Sequence, residues 1–232
     1  MIHAVLTIDD IPSKNTRAIV DYLVSKNIKA LMFAVGSWNG ESRDNAIYAL
    51  KNGMIVGNHS FTHPHFSSLT REEAVEEIEK NEEFLDCLYK EAGVGRRFRP
   101  FRFPYGDKGG DNKEFLQEYL KTKGFNKVKD TKIPYPWWHE QGLDRDIDTY
   151  WTFDFEEYNI RPGSGFTAED CWKKIEDPAP SNGSPLLADG AYHLLLLHAH
   201  DETDALYPDY YKHFIDRLLE EGVVFEEPEF FG

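Results

Sequence analysis

The sequence has few cysteines, no long apolar run and no excess of basic residues. Its 232 residues include only two cysteines, Cys87 and Cys171, too few for the disulfide framework of a small secreted domain. The longest apolar run lies around residues 194–197, far short of the ~20 residues of a membrane-spanning helix. Lysine and arginine total 26 against 41 aspartates and glutamates, a formal net charge of −15. This excess of acid gives no overall attraction to nucleic acid or anionic lipid.

The first residues do not have the pattern of a secretion signal. Met1-Ile2-His3 is not a basic segment, and the apolar stretch that follows is broken at Asp9-Asp10. We therefore expect a cytoplasmic location, with no membrane partner and with reduced cysteines. Both cysteines fall in segments predicted to be helical, where we expect them to be small buried side chains.

The composition is that of an ordinary globular protein, with 41% hydrophobic and 29% charged residues. At ~150 residues per domain, the length favours one larger α/β domain over residues 1–232. Strand and helix patterns alternate, which indicates a mainly parallel sheet that could close into a barrel. Strands are predicted at residues 2–8, 30–35, 54–57, 98–103, 125–128, 148–153, 192–197 and 223–225. Helices are predicted at residues 13–27, 43–52, 70–92, 112–123 and 208–221, with Ser13 and Thr70 as N-caps and a capping box at Thr70.

Two stretches do not fit the alternation of strands and helices. Residues 129–145 include Trp137 and Trp138, and residues 177–190 are rich in proline, serine and glycine. Loops of this length are usually functional or mobile. The tryptophan pair is equally compatible with a hydrophobic plug beneath a loop and with an exposed wall that stacks on sugar rings.

Polar side chains that could do chemistry follow several of the predicted strands. The carboxyl ends of parallel strands lie on one rim of an α/β fold, so segments distant in sequence can meet there. Five segments qualify: Asp9-Asp10, His59 to His63, Arg102 to Tyr105, Asp154 to Tyr158, and His198 to Asp201. The sequence therefore predicts a site assembled at this rim.

Two of these segments carry residues that suit a metal ion. Adjacent strand residues point to opposite faces, so Asp9 and Asp10 can serve one site only where the strand ends; the alternative is a solvated turn. His59 and His63 are four residues apart, which would bring both imidazoles to one face of a single helical turn. Two histidines and one aspartate with an open position are typical of catalytic zinc. Chance histidines in a polar loop are the alternative, and the spacing of His65 suits it poorly as a third ligand.

A further histidine, His198, directly follows four leucines. A histidine on a buried strand is usually a hydrogen-bonded core residue, but His198 stands at the strand end and can face the rim. His200 would share its face if the strand continued. Asp201 could be a partner of the histidine or a helix cap.

Together, these segments resemble the motifs of the polysaccharide deacetylase family, also called carbohydrate esterase family 4 or the NodB-homology domain. Thr7-Ile8-Asp9-Asp10 is similar to the family's Thr-Phe-Asp-Asp. His59-Ser60-Phe61-Thr62-His63 and Arg102-Phe103-Pro104-Tyr105 are similar to its second and third motifs, and Leu195-Leu196-Leu197-His198 to its fifth. The four occur in family order between residues 7 and 198.

The resemblance implies a distorted (β/α) barrel of about seven parallel strands that removes an N-acetyl group from an amino sugar, an oligosaccharide or a polysaccharide. It implies that Asp10, His59 and His63 hold a divalent metal, with zinc first and cobalt, nickel or iron as possible substitutes. Asp9 would be the general base that takes a proton from metal-activated water. Arg102 would pair with Asp9 and keep it ionised.

The same resemblance implies roles on the substrate side of the site. His198 would be the general acid that protonates the leaving amine, and the backbone N–H of Tyr105 would stabilise the oxyanion. The family's fourth motif is an aspartate followed by tryptophan, and this sequence departs from it. We expect Asp154 to orient His198 and raise its pKa, with Glu157 as the alternative. Trp137, Trp138 and Tyr158 are candidate ring-stacking walls.

Two other functions remain open at this stage. One is a related hydrolase of C–N bonds in a non-sugar amide, as in allantoinase-like and imide-hydrolysing relatives of the fold. The other is a non-catalytic carbohydrate-binding homologue, which the simultaneous presence of base, ligands and acid speaks against.

Overall fold

Strands and helices alternate through the computed structural model, which describes residues 1–38, 40, 42–181 and 183–231. The strands in these ranges are β1 (Ile2–Ile11), β2 (Leu31–Ala34), β3 (Ile55–Asn58), β4 (Phe153–Asp154), β5 (Tyr192–His198) and β6 (Val223–Phe225). The helices are α1 (Thr16–Ser25), α2 (Arg43–Lys51), α3 (Arg71–Ala92), α4 (Lys113–Thr122), α5 (Pro136–Glu140), α6 (Ala168–Glu176), α7 (Asp201–Leu206) and α8 (Tyr210–Glu220). The predicted alternation is confirmed.

All the pairings between these strands are parallel, in the order β3-β2-β1-β5-β4. The ten-residue β1 is long enough to have two neighbours on one side, because β6 pairs with its first residues and β2 with its last. On its other side β1 pairs with β5 along its length, and the register sets Asp9 opposite His198. Two of the predicted site residues are therefore neighbours in the sheet.

A few backbone hydrogen bonds close this sheet into a distorted barrel. Arg102 N–H donates to Asn58 C=O (3.0 Å), Thr149 N–H to Phe101 C=O (2.7 Å) and Thr152 N–H to Leu194 C=O (2.9 Å). The predicted strand at 98–103 is thus reduced to one bridge at Phe101, and the one at 125–128 to a bridge at Val128. Prolines at 100 and 104 have no N–H to donate, so this part of the barrel cannot form a regular ladder.

Side chains of β1 alternate between two cores. Leu6 and Ile8 pack in the cluster formed with the outer helices, whereas Val5 packs with Phe33 and Leu194 in the barrel interior. Each fully buried side chain of this kind is worth ~1.5–3 kcal/mol relative to exposure. The alternation sends Asp9, four residues after Val5, towards the interior.

Helix ends show where local sequence rules succeed and fail. The capping box at Thr70 is confirmed, with Thr70 and Glu73 bonded reciprocally, and α3 ends at Gly93 with φ +70°. Ser13 is not the N-cap of α1, because that position is Asn15. The Ser13 hydroxyl instead bonds the side chains of Asn15 and Thr16, and the N-cap lies two residues later than predicted.

The two irregular stretches border each other. Residues 129–145 contain the short helix α5, and residues 177–190 have no helix or strand among those described. Cys171 is buried as predicted, but Cys87 is exposed, because it lies on the outer face of α3. Nowhere in the described ranges is there a helix with the length and apolarity needed to cross a bilayer.

Candidate active site

A cavity of about 440 Å³ lies at the carboxyl ends of the strands, where the sequence predicts the site. Its walls include Asp9 and Asp10 from β1, His59 and His63 after β3, and His198 from the end of β5. Tyr105, Asp154 and Tyr158 also line it. The five strand-end segments therefore converge, as predicted.

The strand itself is distorted where Asp9 and Asp10 occur. The pairing of β1 with β2 shifts register between Ile8 and Ile11, and Asp10 has a left-handed φ of +67°. A bulge of this kind lets two successive side chains serve one face. β1 does not end at Asp10, as the sequence suggested, but continues through the bulge to Ile11.

His59 and His63 are brought together by a loop rather than by the predicted helical turn. Residues 59–65 are not helical, and left-handed φ values occur at Ser60 (+65°) and His63 (+61°). The Ser60 hydroxyl accepts the His63 N–H (3.1 Å) and the Asn58 side-chain oxygen accepts the Ser60 N–H (2.8 Å). The two imidazole centroids lie 4.9 Å apart. The two side chains are therefore close together as expected, but a loop replaces the predicted helical turn, and their role as metal ligands stays a prediction.

Asp10, His59 and His63 fit a metal ion. Each offers one ligand atom, and the three atoms lie within 4.8 Å of one another. Asp10 Oδ1 lies 3.3 Å from His63 Nε2 and 3.7 Å from His59 Nε2, yet it is buried without a well-aligned hydrogen bond. Such an orphaned acceptor between two imidazole nitrogens is what a cation would satisfy.

Surrounding contacts orient these ligands. His59 Nδ1 lies 2.8 Å from the Arg102 carbonyl oxygen, to which it can donate, leaving Nε2 for the cavity. Burial lowers the pKa of His59, which favours the neutral form that binds metals. Burial acts to raise the pKa of Asp10, but the hydrogen bond with His200 and the nearby imidazole of His63 hold it well below its usual range. The aspartate is thereby kept as a carboxylate.

Asp9 and Arg102 form a buried ion pair beside these ligands. Arg102 Nη1 donates to Asp9 Oδ1 (2.7 Å) and to the Thr7 hydroxyl (2.8 Å), and its Nε donates to the Thr149 carbonyl (3.0 Å). Asp9 Oδ2 lies 3.4 Å from His59 Nε2. The guanidinium fixes Oδ1 of the Asp9 carboxylate. The other oxygen, Oδ2, faces the metal-ligand group, by which we mean the candidate ligands Asp10, His59 and His63.

His198 is partnered by Glu157, not by the first choice Asp154. Glu157 is fully buried, and its Oε1 lies 3.1 Å from His198 Nδ1 and accepts the His198 N–H (2.5 Å). Burial acts to lower the pKa of His198, but the charge and hydrogen bond of Glu157, with the charges of Asp154 and Asp10, raise it to about 10. The ring is therefore protonated near neutral pH, with Nε2 free of Glu157.

Asp154 lies beside this pair rather than bonding His198. Its Oδ1 accepts the Glu156 N–H (2.8 Å). Burial raises its pKa to about 6, opposed by the charge of His198. Asp154, Glu157 and His198 also form a compact group of three potential ligands, but the direct His198–Glu157 contact accounts for its geometry as an ion pair.

His200 has a role that the sequence left open. The strand ends at His198, so His200 does not share its face by strand alternation; it is the N-cap of α7. Its Nε2 lies 2.6 Å from Asp10 Oδ2, which leaves Oδ1 to face His59 and His63. His65 is turned away, stacked on Tyr105 with ring centroids 4.0 Å apart.

The three candidate ring-stacking residues have different surroundings. Tyr158 lines the cavity, as does Tyr105, which was predicted to act through its backbone N–H and whose side chain is 60% exposed. Trp138 is only 1% exposed and its Nε1 donates to Asp130, so it is a core residue and not a stacking wall. Trp137 lines an adjoining cavity instead. The cavity walls also include four residues that sequence reasoning did not single out, since nothing in a local motif marks them: Trp38, Trp151, Arg161 and Glu202.

The fold and the site define a class of protein: a parallel α/β barrel with an aspartate and two histidines that could hold a metal ion at its carboxyl rim, beside a second aspartate and a charged histidine. The family described as polysaccharide deacetylase matches residues 2–126. The chain belongs to the polysaccharide deacetylase family, which confirms the resemblance seen in the motifs.

Curated relatives match part of the chain. The peptidoglycan-N-acetylglucosamine deacetylase of Bacillus cereus is 36% identical over 118 residues, which is 50% of this chain and 38% of that protein. Chitin deacetylase 1 of Cryptococcus neoformans is 33% identical over 102 residues, 44% of this chain and 21% of that protein. The matched part thus spans well under half the length of these relatives.

Solved structures share the fold over nearly the whole chain. A peptidoglycan N-acetylglucosamine deacetylase covers 97% of this chain and 85% of its own, with a TM-score of 0.65 and 21% identity. A mutant of a family 4 pseudoenzyme covers 96% of this chain and 64% of its own, with a TM-score of 0.64 and 18% identity. Enzymes and pseudoenzymes therefore share this fold, and only the site residues bear on activity.

Proposed function

We propose that this protein is a metal-dependent N-deacetylase that hydrolyses the acetamide of an N-acetylated amino sugar. One observation carries the proposal: the same cavity brings two charged pairs next to the metal-ligand group. These pairs are Asp9 with Arg102 and His198 with Glu157. An amide hydrolase needs a base and an acid that act on different atoms of the same substrate.

The metal would be held by Asp10 Oδ1, His59 Nε2 and a nitrogen of His63. When bound, it supplies an acidified water and polarises the amide carbonyl. Zinc is our choice because imidazole and carboxylate are ligands that it accepts, although cobalt, nickel and iron accept them too.

Asp9 accepts the proton of the attacking water through Oδ2, while Arg102 holds Oδ1 and the orientation of the carboxylate. The backbone N–H of Tyr105 donates to the carbonyl oxygen as negative charge develops there. His198 donates the proton at Nε2 to the departing amine, since an amine leaves poorly unless it is protonated. Glu157 keeps that histidine charged and fixes its ring through Nδ1.

The substrate class is supported by the relatives, whose names describe peptidoglycan-N-acetylglucosamine and chitin deacetylases. Both names describe N-acetylated amino sugars. The pseudoenzyme neighbour does not argue against activity here, because base, three ligands and acid are all present. The cytoplasmic location predicted from the sequence stays a prediction.

The test combines metal analysis with acetate release. We expect about one equivalent of metal per wild-type chain and acetate release from N-acetylglucosamine oligomers. Asp10→Ala should lose the metal and the activity. Asp9→Asn, an isosteric change beside the ligands, should retain the metal and lose the activity, because only the base is removed.

Two results would overturn this proposal. One is a wild-type protein that binds no metal even after zinc is added. The other is a metal-loaded protein that releases no acetate but hydrolyses cyclic ureides or imides, which would move the chain to the non-sugar alternative.

A further inference from the structure

His200 contacts the aspartate of the metal-ligand group from outside that group. Its Nε2 lies 2.6 Å from Asp10 Oδ2, whereas Asp10 Oδ1 lies 3.3 Å from His63 Nε2. A carboxylate oxygen can only accept a hydrogen bond, so His200 Nε2 is the ring nitrogen that carries the proton. The two oxygens of Asp10 therefore have different partners, and only Oδ1 is left for a cation.

The ring of His200 borders two cavities. One is the cavity of the metal-ligand group, and the other has a volume of about 550 Å³. Four residues line both of them: Asp10, Trp38, His200 and Glu202. Without the imidazole, water from the second cavity could reach Asp10 Oδ2, and the carboxylate could turn about its Cβ–Cγ bond. The orientation of Asp10 therefore depends on this ring.

The backbone around His200 is fixed by two helices. The His200 N–H donates to the Tyr210 hydroxyl (3.2 Å), and that hydroxyl donates to the His198 carbonyl oxygen. Tyr210 is the first residue of α8 and is fully buried. Asn15, the N-cap of α1, donates through Nδ2 to the His200 carbonyl oxygen (3.3 Å). The imidazole therefore approaches Asp10 from a main chain that is tied down on both sides of the residue.

We propose that His200 is a positioning residue that restricts Asp10 to binding the metal through Oδ1 alone, and that it strengthens metal binding by doing so. The proposal rests on the metal site of the proposed function. A carboxylate that is already oriented loses less freedom when the ion binds. Outer partners of this kind typically contribute about 10–100-fold in metal affinity. With Oδ2 kept on His200, a coordination position stays open for water or substrate.

Zinc dissociation constants test this, measured by competition with a chromophoric chelator. His200→Phe keeps a ring between the two cavities but has no N–H to donate, so zinc should bind about 10–100-fold more weakly. His200→Ala should show a similar loss without added bulk. His200→Gln should recover most of the affinity, because its side-chain amide can donate to Oδ2. His139→Phe is the matched control, since His139 pairs with Asp144 (2.9 Å) outside the walls of both cavities.

Cobalt(II) in place of zinc reports how Asp10 binds the ion. The intensity of its visible absorption bands depends on the number and geometry of its ligands. In His200→Phe the released Oδ2 can join Oδ1 on the ion, so the spectrum should change, whereas His200→Gln should keep the wild-type spectrum. The Tm of the metal-free variants should match that of the metal-free wild type, because the His200 side chain is 31% exposed.

The outcomes separate this inference from the proposed function. A wild-type zinc affinity or an unchanged cobalt spectrum in His200→Phe would overturn the role of His200 and leave the proposed function standing. A loss of affinity that His200→Gln does not recover would also overturn it, because the N–H would then not be what matters. A wild-type protein that binds no zinc would overturn the metal site, and the proposed function with it.

Discussion

Glu157 contributes most among the neighbours that keep His198 charged. Because Glu157 is buried and bonded to His198 Nδ1, the carboxylate stabilises the imidazolium and the pKa of the ring is raised to about 10. A raised pKa extends the pH range over which the protonated ring is present. Loss of the protonated form at high pH would remove the general acid proposed here.

Glu157→Gln should therefore move the alkaline limit of activity to lower pH. The amide cannot supply the charge that raises the pKa of His198. The alkaline limb of the pH profile of kcat/KM should therefore shift to lower pH by about one unit or more. A pH profile of acetate release measures this. Glu156→Gln is the matched control, because Glu156 bonds Lys174 instead. An unchanged alkaline limb in Glu157→Gln would contradict the assignment.

Burial raises the pKa of the Asp154 carboxyl, whereas it acts to lower the pKa of the His198 imidazole. The pKa of Asp154 is raised from the ordinary value of 3.8 to about 6, so the folded protein holds this proton more tightly than the unfolded chain. Stability therefore falls as pH rises from about 3.8 to about 6 and the penalty is fully present above that range.

Asp154→Asn should consequently raise Tm at about pH 7.5, because the amide carries no charge to desolvate. The advantage over wild type should shrink as pH is lowered towards the range in which Asp154 is protonated. Thermal unfolding across that pH range is the measurement. Asp111→Asn, the same change at an exposed position, should alter Tm much less. A mutant that is less stable than wild type under the same mildly alkaline conditions would refute this account.

At the scale of elements, the site depends on strands that stop being regular where they reach the rim. β1 bulges at Asp9-Asp10, and β3 passes into a loop with left-handed residues at Ser60 and His63. Such conformations cost of order 1–3 kcal/mol each and are retained where the surroundings enforce them. The buried Asn58 side chain does this for β3, since it bonds Ser60, Asn81 and Glu82.

Gly57 controls how closely β3 approaches the segment that closes the barrel. A Cβ there would lie 2.8 Å from both the Pro100 carbonyl oxygen and its ring. Gly57→Ala should therefore push β3 and residues 100–102 apart, at a cost of about 1–3 kcal/mol. Because His59 follows β3 and bonds the Arg102 carbonyl, metal affinity should fall as well.

Denaturant unfolding and metal content measure both effects. Gly95→Ala is the matched control, since nothing lies within 4 Å of a Cβ at Gly95. A Gly57→Ala protein with wild-type stability and metal content would show that the barrel can relax at this contact.

At the scale of the whole molecule, the three proposed metal ligands come from different parts of the barrel. Asp10 comes from β1, and His59 and His63 follow β3 on the far side of β2. A cation held by all three would therefore stabilise the folded chain and not the unfolded one. The stabilisation is about 2.7 kcal/mol when the free metal is at about 100 times its Kd.

Chelation should therefore lower the Tm of the wild-type protein by about 5–10 °C, the shift expected for a domain of this size. Adding zinc back should restore it. Asp10→Ala should show no response to chelator or to zinc, because its ligand group is incomplete. Differential scanning calorimetry gives the answer, and a wild-type Tm that ignores chelator would speak against a structural link to the metal.

Much of the fold and site could be read from the sequence because the relevant patterns are local. Strand and helix periodicity, the capping box at Thr70 and the placement of polar residues after strands each depend on a few consecutive residues. Parallel strands share one rim, so Asp9, Asp10 and His198 could be brought together without coordinates.

Tertiary structure alone decided the rest. Glu157 rather than Asp154 bonds His198, Trp137 lines a cavity while Trp138 is buried, and the predicted strand at 98–103 became a single bridge at Phe101. In each case the outcome depends on the direction of a side chain or on a backbone partner far along the chain. Neighbouring residues do not encode that direction, because it is fixed by packing between segments that the barrel brings together.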